Sequence, residues 1–308
     1  MKDKYCLLSN DVETTSIWHN SLRDETGIKV YKEGMPALLD LYAKFNVKST
    51  FFFTGYIANL VPDVVKMIIN DGHEVASHGM SHIKKNGFDV MPYEKQLRHL
   101  KESKDLLENI SGQEVISFRA PALRVNNDTA TALSEAGYLI DSSVASQRFD
   151  MFMSFGGLKK LNWLTAPRNP YRTDEKSLFK KGNGNIIEIP LSATFLSYLG
   201  TTMRIFPNIT SLQRRLLAFE SGRTGKPIVF DIHPNELIDE SNEKRTIESR
   251  SSNPISYFLQ DYLRSHLKVK NLGPKAGVLY EKEINYFEKN NFNFITIKDY
   301  CKITNLIK

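Results

Sequence analysis

The stretch Gly72-His73-Glu74-Val75-Ala76-Ser77-His78-Gly79-Met80-Ser81-His82 joins a turn, a short buried-looking run and two histidines four residues apart. Asp71-Gly72-His73-Glu74 reads as a turn and Glu74–Ser77 as a strand. Histidines at this spacing fall on one face of a helical turn, so both imidazoles can reach one ion. His-x-x-x-His alone is a weak signal, because a solvated helix edge carries the same spacing. The strand directly before it gives it weight. A carboxylate from another strand would complete a facial site with positions left for water and substrate, as catalytic zinc sites require and closed structural ones do not.

Outward from this stretch, apolar runs bounded by turn signals recur as Tyr5–Ser9, Ser49–Thr54, Val115–Phe118, Ile186–Leu191, Ile228–Ile232 and Phe294–Ile297. Between them lie segments of helical period. Met35–Phe45 places Leu38, Leu39, Leu41 and Tyr42 on one face, Pro62 opens Asp63–Asn70, Tyr93–Ile110 stops at Ser111-Gly112, and Asn127–Ala136 ends at Gly137. Strand–helix–strand alternation predicts an α/β fold of about seven parallel strands in a closed or nearly closed barrel, with chemistry at the strands' C-terminal ends. Residues 145–185 show no clear period and read as a long loop insertion, and residues 239–253 as an exposed polar connection. One catalytic domain over 1–308 is expected, its motifs within 9–234 and a helix/strand completion over about 254–300.

Four further clusters stand at predicted strand ends: Ser9-Asn10-Asp11-Val12-Glu13, Phe118-Arg119-Ala120-Pro121, Asp141-Ser142-Ser143, and Phe230-Asp231-Ile232-His233-Pro234. With the histidine pair they form an ordered set that resembles the polysaccharide deacetylase (NodB-like, carbohydrate esterase type) family, whose fold is a distorted α/β barrel. The resemblance runs over roughly the first three quarters of the chain. Single motifs are unspecific, whereas the ordered set is specific.

The resemblance implies metal-dependent hydrolysis of an N-acyl group, N-acetyl first, on an amino sugar of a polysaccharide or lipid-linked glycan precursor. It implies His78 and His82 as metal ligands, Arg119 as the holder of the catalytic carboxylate, and His233 as general acid with its charge tuned by Asp141. Pro121 would shape the groove floor. Zinc is the default ion for a His/carboxylate set, and cobalt, nickel or iron suit the same donors. The first motif departs from the family's adjacent aspartate pair. In one register Asp11 is the base and Glu13 the metal ligand; in the other Asn10 takes the base position, Asp11 binds metal, and hydrolysis is crippled. Chemistry favours the first, because an amide side chain does not usefully accept a proton. Two other readings stand beside it: a deformylase of a lipid-linked amino sugar, and a glycan-binding relative that has lost catalysis.

The remaining residues carry less. Phe51–Phe53 reads as core strand rather than a sugar platform, whereas Trp18 and Trp163, in predicted loops, suit stacking against a sugar ring or plain loop anchoring. Asp231 alternates to the same strand face as His233. His73 reads as structural, His99 as a packed or solvated helix residue, and His19 and His266 carry no partner signature. Two cysteines, Cys6 and Cys301, exclude a disulfide framework, and no nucleophile elbow is present. Lys and Arg are scattered over a net charge of +6, which gives nucleic acid little support and leaves anionic lipid or phosphate-bearing precursors compatible. With no apolar leader and no apolar run long enough to span a membrane, the sequence predicts a cytoplasmic chain with peripheral membrane contact at most.

Overall fold

All seven residues of Cys6–Val12 (β1) are buried, the condition of a strand covered on both faces, which is why the run shows no simple polar alternation. The structure, a computed structural model, describes residues 3–147, 162–245 and 264–307. After β1 come a small hairpin, Thr15–Ser16 (β2) and Ser21–Leu22 (β3), then Asp24–Lys29 (α1) and Met35–Lys44 (α2). Thr50–Phe53 (β4), Gly55–Leu60 (α3), Asp63–Lys66 (α4), Glu74–Ser77 (β5) and Tyr93–Ser111 (α5) follow. Ser117–Phe118 (β6), Thr129–Glu135 (α6) and Ile140–Asp141 (β7) continue the alternation. A hairpin of Tyr171–Asp174 (β8) and Ser177–Lys181 (β9) precedes Ile187–Glu188 (β10), and Gly200–Ile205 (α7) and Pro207–Thr224 (α8) lead to Ile228–Ile232 (β11). Arg264–Lys268 (α9), Pro274–Lys289 (α10) and Ile297–Ile303 (α11) end the chain.

The strands line up as β11-β1-β4-β5-β6-β7-β10-β8-β9. Every pairing from β11 to β10 is parallel, and β8 then runs antiparallel to β10. The sheet curls until the chain after β10 meets β11: Ser192 N–H donates to the Val229 carbonyl at 3.1 Å, and Val229 N–H to Ser192 Oγ at 3.0 Å. Seven parallel strands in a distorted barrel are therefore present, as expected. β6, β7 and β10 are only two residues long, and backbone bonds just beyond them, such as Arg119 N–H to Ser77 O at 2.9 Å and Ile189 N–H to Asp141 O at 2.8 Å, continue the pairing.

Phe51, Phe52 and Phe53 are fully buried and belong to the core, with Leu38 and Tyr42 of α2 and Leu100 and Leu107 of α5 around it. α5 stops where Gly112 takes φ 66°, a left-handed cap that suits glycine. Two expectations are corrected, and a third is refined. Phe294–Ile297 is not a strand: Thr296 caps α11 by accepting from Asp299 N–H at 3.0 Å, and only Asn293 bridges to Tyr5. Within 145–185 the alternating burial of Tyr171–Asp174 marks a real hairpin, not loop. The start of 239–253 is exposed at Asp239, Ser241, Asn242 and Lys244, as expected, but its glutamates anchor it to the barrel. Glu240 is buried and accepts from Ser16 Oγ at 2.5 Å and Thr26 Oγ1 at 2.7 Å, while Glu243 meets His19, Arg23 and Lys29 at 2.9, 2.7 and 2.5 Å. Residues 246–253, and the first part of 254–300, lie outside the described residues.

Candidate active site

The pleat of β1 sends Ser9, Asp11 and Glu13 to one side and Asn10 to the other. Asn10 is fully buried there: its Nδ2 donates to Ser49 Oγ at 2.7 Å, and its Oδ1 accepts from Tyr42 OH at 2.7 Å. Asp11 and Glu13 emerge at the C-terminal end of β1, each 5% exposed.

His78 follows β5 and donates its backbone N–H to Phe53 O at 2.8 Å. His78 and His82 do not share a helical turn as the spacing predicted. Gly79 takes φ 66°, a conformation that folds the loop back without helix, and Gly79 O and Met80 O accept from Gly55 and Tyr56 N–H, both at 2.8 Å. The imidazole centroids end 5.6 Å apart. His78 Nδ1 lies 2.8 Å from the Arg119 carbonyl. That contact places the proton on Nδ1 and leaves Nε2 with a lone pair, the arrangement that orients metal-binding imidazoles.

Ligand-capable atoms of Glu13, His78 and His82 lie within 4.8 Å of one another. Glu13 Oε2 and His78 Nε2 are buried and make no hydrogen bond among the described residues, and Glu13 Oε2 is 3.0 Å from His82 Nε2. Burial lowers both histidines to about 4, so both are neutral, while burial raises the Glu13 carboxyl. Two neutral imidazoles and a carboxylate converging with unsatisfied buried lone pairs make a set of donors that could hold a divalent cation. Asp11, Asp231 and His233 form a second close group, but Arg119 already occupies it as the cation.

Arg119, fully buried after β6, lies over the Phe52 ring at 4.3 Å and is gripped from behind by Ser142, whose carbonyl accepts from Nε at 3.0 Å and whose Oγ accepts from Nη2 at 2.9 Å. Its Nη1 reaches Ser9 Oγ at 2.8 Å, Asp11 Oδ1 at 2.9 Å and Asp231 Oδ1 at 2.7 Å. Asp11 Oδ2 is left facing His78 Nε2 at 3.6 Å and His233 Nε2 at 3.9 Å. Burial would raise Asp11, but the Arg119 charge and hydrogen bond and the protonated His233 outweigh it and hold the carboxyl below its ordinary value. Asp231, buried beside the Asp11 charge, is pushed the other way.

His233, at the end of β11, opens a short helical turn. Its Nδ1 is 3.1 Å from Glu236 Oε1 and 3.9 Å from Asp231 Oδ2. Burial acts to lower this histidine, yet the Glu236 hydrogen bond and the Asp231 and Asp11 charges push it up to about 10. Glu236 is in turn paired with fully buried Arg204 of α7, whose Nη1 donates to the Lys268 and Lys270 carbonyls at 2.6 and 2.9 Å. Arg204 and His233 together hold Glu236 down to about 2 against the effect of burial.

The carboxylates on His233 are therefore Glu236 and Asp231, and Asp141 is not one of them. Asp141 ends β7 and accepts from Ser143 Oγ at 2.6 Å; that same Oγ accepts from Ala120 N–H at 2.9 Å, so Asp141 braces the Arg119–Pro121 segment. Glu236 had a readable signal, since a glutamate three residues after a strand-end residue followed by proline is capping-box spacing. Arg204 had none.

Pro121 is buried beside the histidine loop, its Cδ 3.8 Å from where a Cβ on Gly79 would stand. Ala122 and Leu123 follow at φ 53° and 54°, a strained left-handed pair. Trp163 is fully buried and presents no ring face to a sugar; its place is in the core, a correction to the platform reading. Trp18 is half-buried, with Nε1 donating to Glu243 O at 3.0 Å and the Arg245 guanidinium over one face at 5.2 Å. His73 is structural, its Nδ1 accepting from Ser49 N–H at 3.1 Å.

A curled sheet of seven parallel strands thus carries a Glu-His-His set, an arginine-held aspartate and a charged histidine at its C-terminal edge. Residues 24–140 match the family described as "Polysaccharide deacetylase". A peptidoglycan deacetylase-like protein of Gibberella zeae is 25% identical over 224 residues, 67% of this chain and 62% of its own length. The peptidoglycan deacetylase of Helicobacter pylori is 27% identical over 45% of this chain and 49% of its own length. The chain thus spans about half to three fifths of these curated relatives. A putative polysaccharide deacetylase from Mycobacterium smegmatis superposes with a TM-score of 0.64 over 98% of this chain and 90% of that one, at 17% identity, a likeness of fold. Among the described residues no helix is long and apolar enough to cross a membrane.

Proposed function

We propose that the chain hydrolyses the N-acetyl group of an amino sugar in a glycan, using a divalent ion held by Glu13, His78 and His82. The observation that carries this reading is the separation of three jobs within one site: converging orphaned ligand atoms, an ionised aspartate, and a protonated histidine. When bound, the ion supplies Lewis-acid polarisation of the amide carbonyl. Asp11, ionised and fixed by Arg119 through Oδ1, takes the proton of the attacking water on Oδ2. His233, protonated and pinned through Nδ1 by Glu236, gives the Nε2 proton to the departing sugar amine, which is otherwise a poor leaving group. Acid and base are thus kept apart in charge by their neighbours.

The engagement of Asn10 by Tyr42 and Ser49 supports the register with Asp11 as base and Glu13 as ligand, and weighs against a non-catalytic reading. Relatives named as a peptidoglycan deacetylase and a peptidoglycan deacetylase-like protein support an N-acetylated glycan as substrate; Trp18 and Pro121 are proposed to contact it. The test is acetate release from N-acetylglucosamine oligomers and from peptidoglycan, by protein loaded with zinc, cobalt or nickel. Acetate in proportion to bound ion is expected. Formate release from an N-formylated sugar with no acetate from either substrate overturns the acetyl reading, and no release by any loaded form overturns the hydrolase.

A further inference from the structure

Glu188 and Asp141 are both fully buried at the ends of two neighbouring strands, and the proton transfers described above use neither. In the parallel pairing of β10 with β7 they stand side by side, so the pleat sends both carboxyls to one face of the sheet. The two side chains are hydrogen-bonded to each other. Glu188 Oε1 also accepts from Val144 N–H at 3.1 Å, whereas Oε2 is buried and receives no hydrogen bond. Two carboxyls in contact away from water do not both ionise, and one keeps a proton. Arg119 is the positive charge that both feel, but its own hydrogen bonds go to Ser142, Ser9, Asp11 and Asp231. On the other side of Glu188 in the sheet stands Tyr171 of β8, whose hydroxyl donates to the Leu178 carbonyl.

We infer that Glu188 is a positioning residue: it keeps its proton, donates it from Oε2 to Asp141, and with Asp141 fixes residues 142–144, which aim Arg119. Asp141 Oδ1 accepts from Ser143 Oγ at 2.6 Å, Ser143 Oγ accepts from Ala120 N–H at 2.9 Å, and Glu188 Oε1 holds Val144 N–H. Between these anchors Ser142 grips Arg119 through its carbonyl and hydroxyl, and its Oγ donates in turn to the Ile189 carbonyl at 2.8 Å. Burial and the Asp141 charge push the Glu188 carboxyl well above the ordinary carboxylate range. Burial raises Asp141 too, but hydrogen bonds from Glu188 and Ser143 oppose it, so the proton stays on Glu188. The consequence for turnover rests on the hydrolase reading above; the proton and the grip on Arg119 do not.

Glu188→Gln replaces the O–H donor with N–H, and Glu188→Leu removes it. In the infrared difference between parent and Glu188→Gln at about pH 8, the parent should show the carbonyl band of a protonated carboxyl. A raised carboxyl contributes stability that is complete below its unfolded value, 4.5, and is lost as pH rises toward the folded one. In urea, the parent's unfolding constant relative to that of Glu188→Gln should therefore climb about tenfold per pH unit from about pH 5 to 7. The Arg119 Nε–H should exchange with deuterium as slowly in Glu188→Gln as in the parent and faster in Glu188→Leu, with the Arg204 Nε–H alike in all three. Turnover should follow, with kcat lower by roughly 10–10²-fold in Glu188→Leu at unchanged KM and ion content, and largely recovered in Glu188→Gln. Should Glu188→Leu not fold, Ser143→Ala, which cuts the link from Asp141 to Ala120, takes its place with the same expected effects. No carboxyl band, or a flat unfolding ratio, overturns the shared proton. Arg119 exchange at the parental rate in Glu188→Leu, or as fast in Glu188→Gln as in Glu188→Leu, overturns the positioning role. A parent that releases no acetate refutes the hydrolase reading alone, since the infrared, unfolding and exchange measurements use no substrate.

Discussion

Glu236→Gln removes the charge that holds His233 in its acid form. In the parent, His233 Nδ1 lies 3.1 Å from Glu236 Oε1, and the histidine is pushed up to about 10. A hydrogen bond between charged groups contributes about 1.5–3 kcal/mol, and at about 1.4 kcal/mol per pKa unit its loss corresponds to about one to two pH units. Asp231 and Asp11 remain and retain the rest. The raised histidine is protonated below its folded value, so kcat falls as pH rises through about 10 in the parent, and in Glu236→Gln the same limb should fall about one to two pH units lower. Stability moves in the same sense: the contribution of a raised histidine is complete below its unfolded value of about 6.5 and is lost as pH climbs toward 10. Leaving Arg204 buried without its partner costs a further ~3–5 kcal/mol, so the profile is taken at a temperature where circular dichroism shows the variant folded. The assay is kcat for acetate release against pH, with bound metal measured in parallel. An alkaline limb unmoved in folded, metal-replete variant would refute the assignment of Glu236 to His233.

Three other outcomes follow from the same geometry. His78→Ala and His82→Ala should each lose the bound divalent ion on elemental analysis while staying folded; full occupancy in both counts against the ligand set. Asn10→Ala should unfold about 1–3 kcal/mol more easily in urea, having lost its bonds to Tyr42 and Ser49, yet keep its ion and turnover in the folded fraction; lost turnover at unchanged stability would put Asn10 in the site. Gly79→Ala forces a side chain to φ 66° and sets its Cβ 3.1 Å from Phe88, so a loss of about 1–2 kcal/mol with weakened ion binding is expected, and parental behaviour in both would mean that the loop does not need its left-handed turn.

The barrel was legible because its central strands are short apolar runs between turn signals, and because Asp11, Glu13, His78, Arg119 and His233 sit where those runs end. What escaped was set by contacts distant in sequence. Asp141 ends a strand as the other motif residues do, but β7 lies across the sheet from His233, and Ser143 takes it instead. Arg204 reaches Glu236 from a helix 32 residues earlier, and its neighbours in the chain give no hint of a partner. Trp163 looked like a loop aromatic because its segment lacks periodicity, yet it is core. Phe294–Ile297 has strand composition, but the Thr296 hydroxyl makes it the start of a helix. The histidine pair was found by the wrong geometry: four-residue spacing suggested a helical turn, and glycine at φ 66° brings the rings together without one.

The account turns on Asp11 as the base and Glu13 as the ligand, and bound metal in Asp11→Asn, measured with acetate release, tests it most directly. The amide keeps the size of the carboxylate and its contact with Arg119 but accepts no proton. The predicted result is an ion content equal to the parent, with turnover reduced by roughly 10²–10⁴-fold. Loss of the ion from Asp11→Asn, or acetate release at the parental rate, would contradict it.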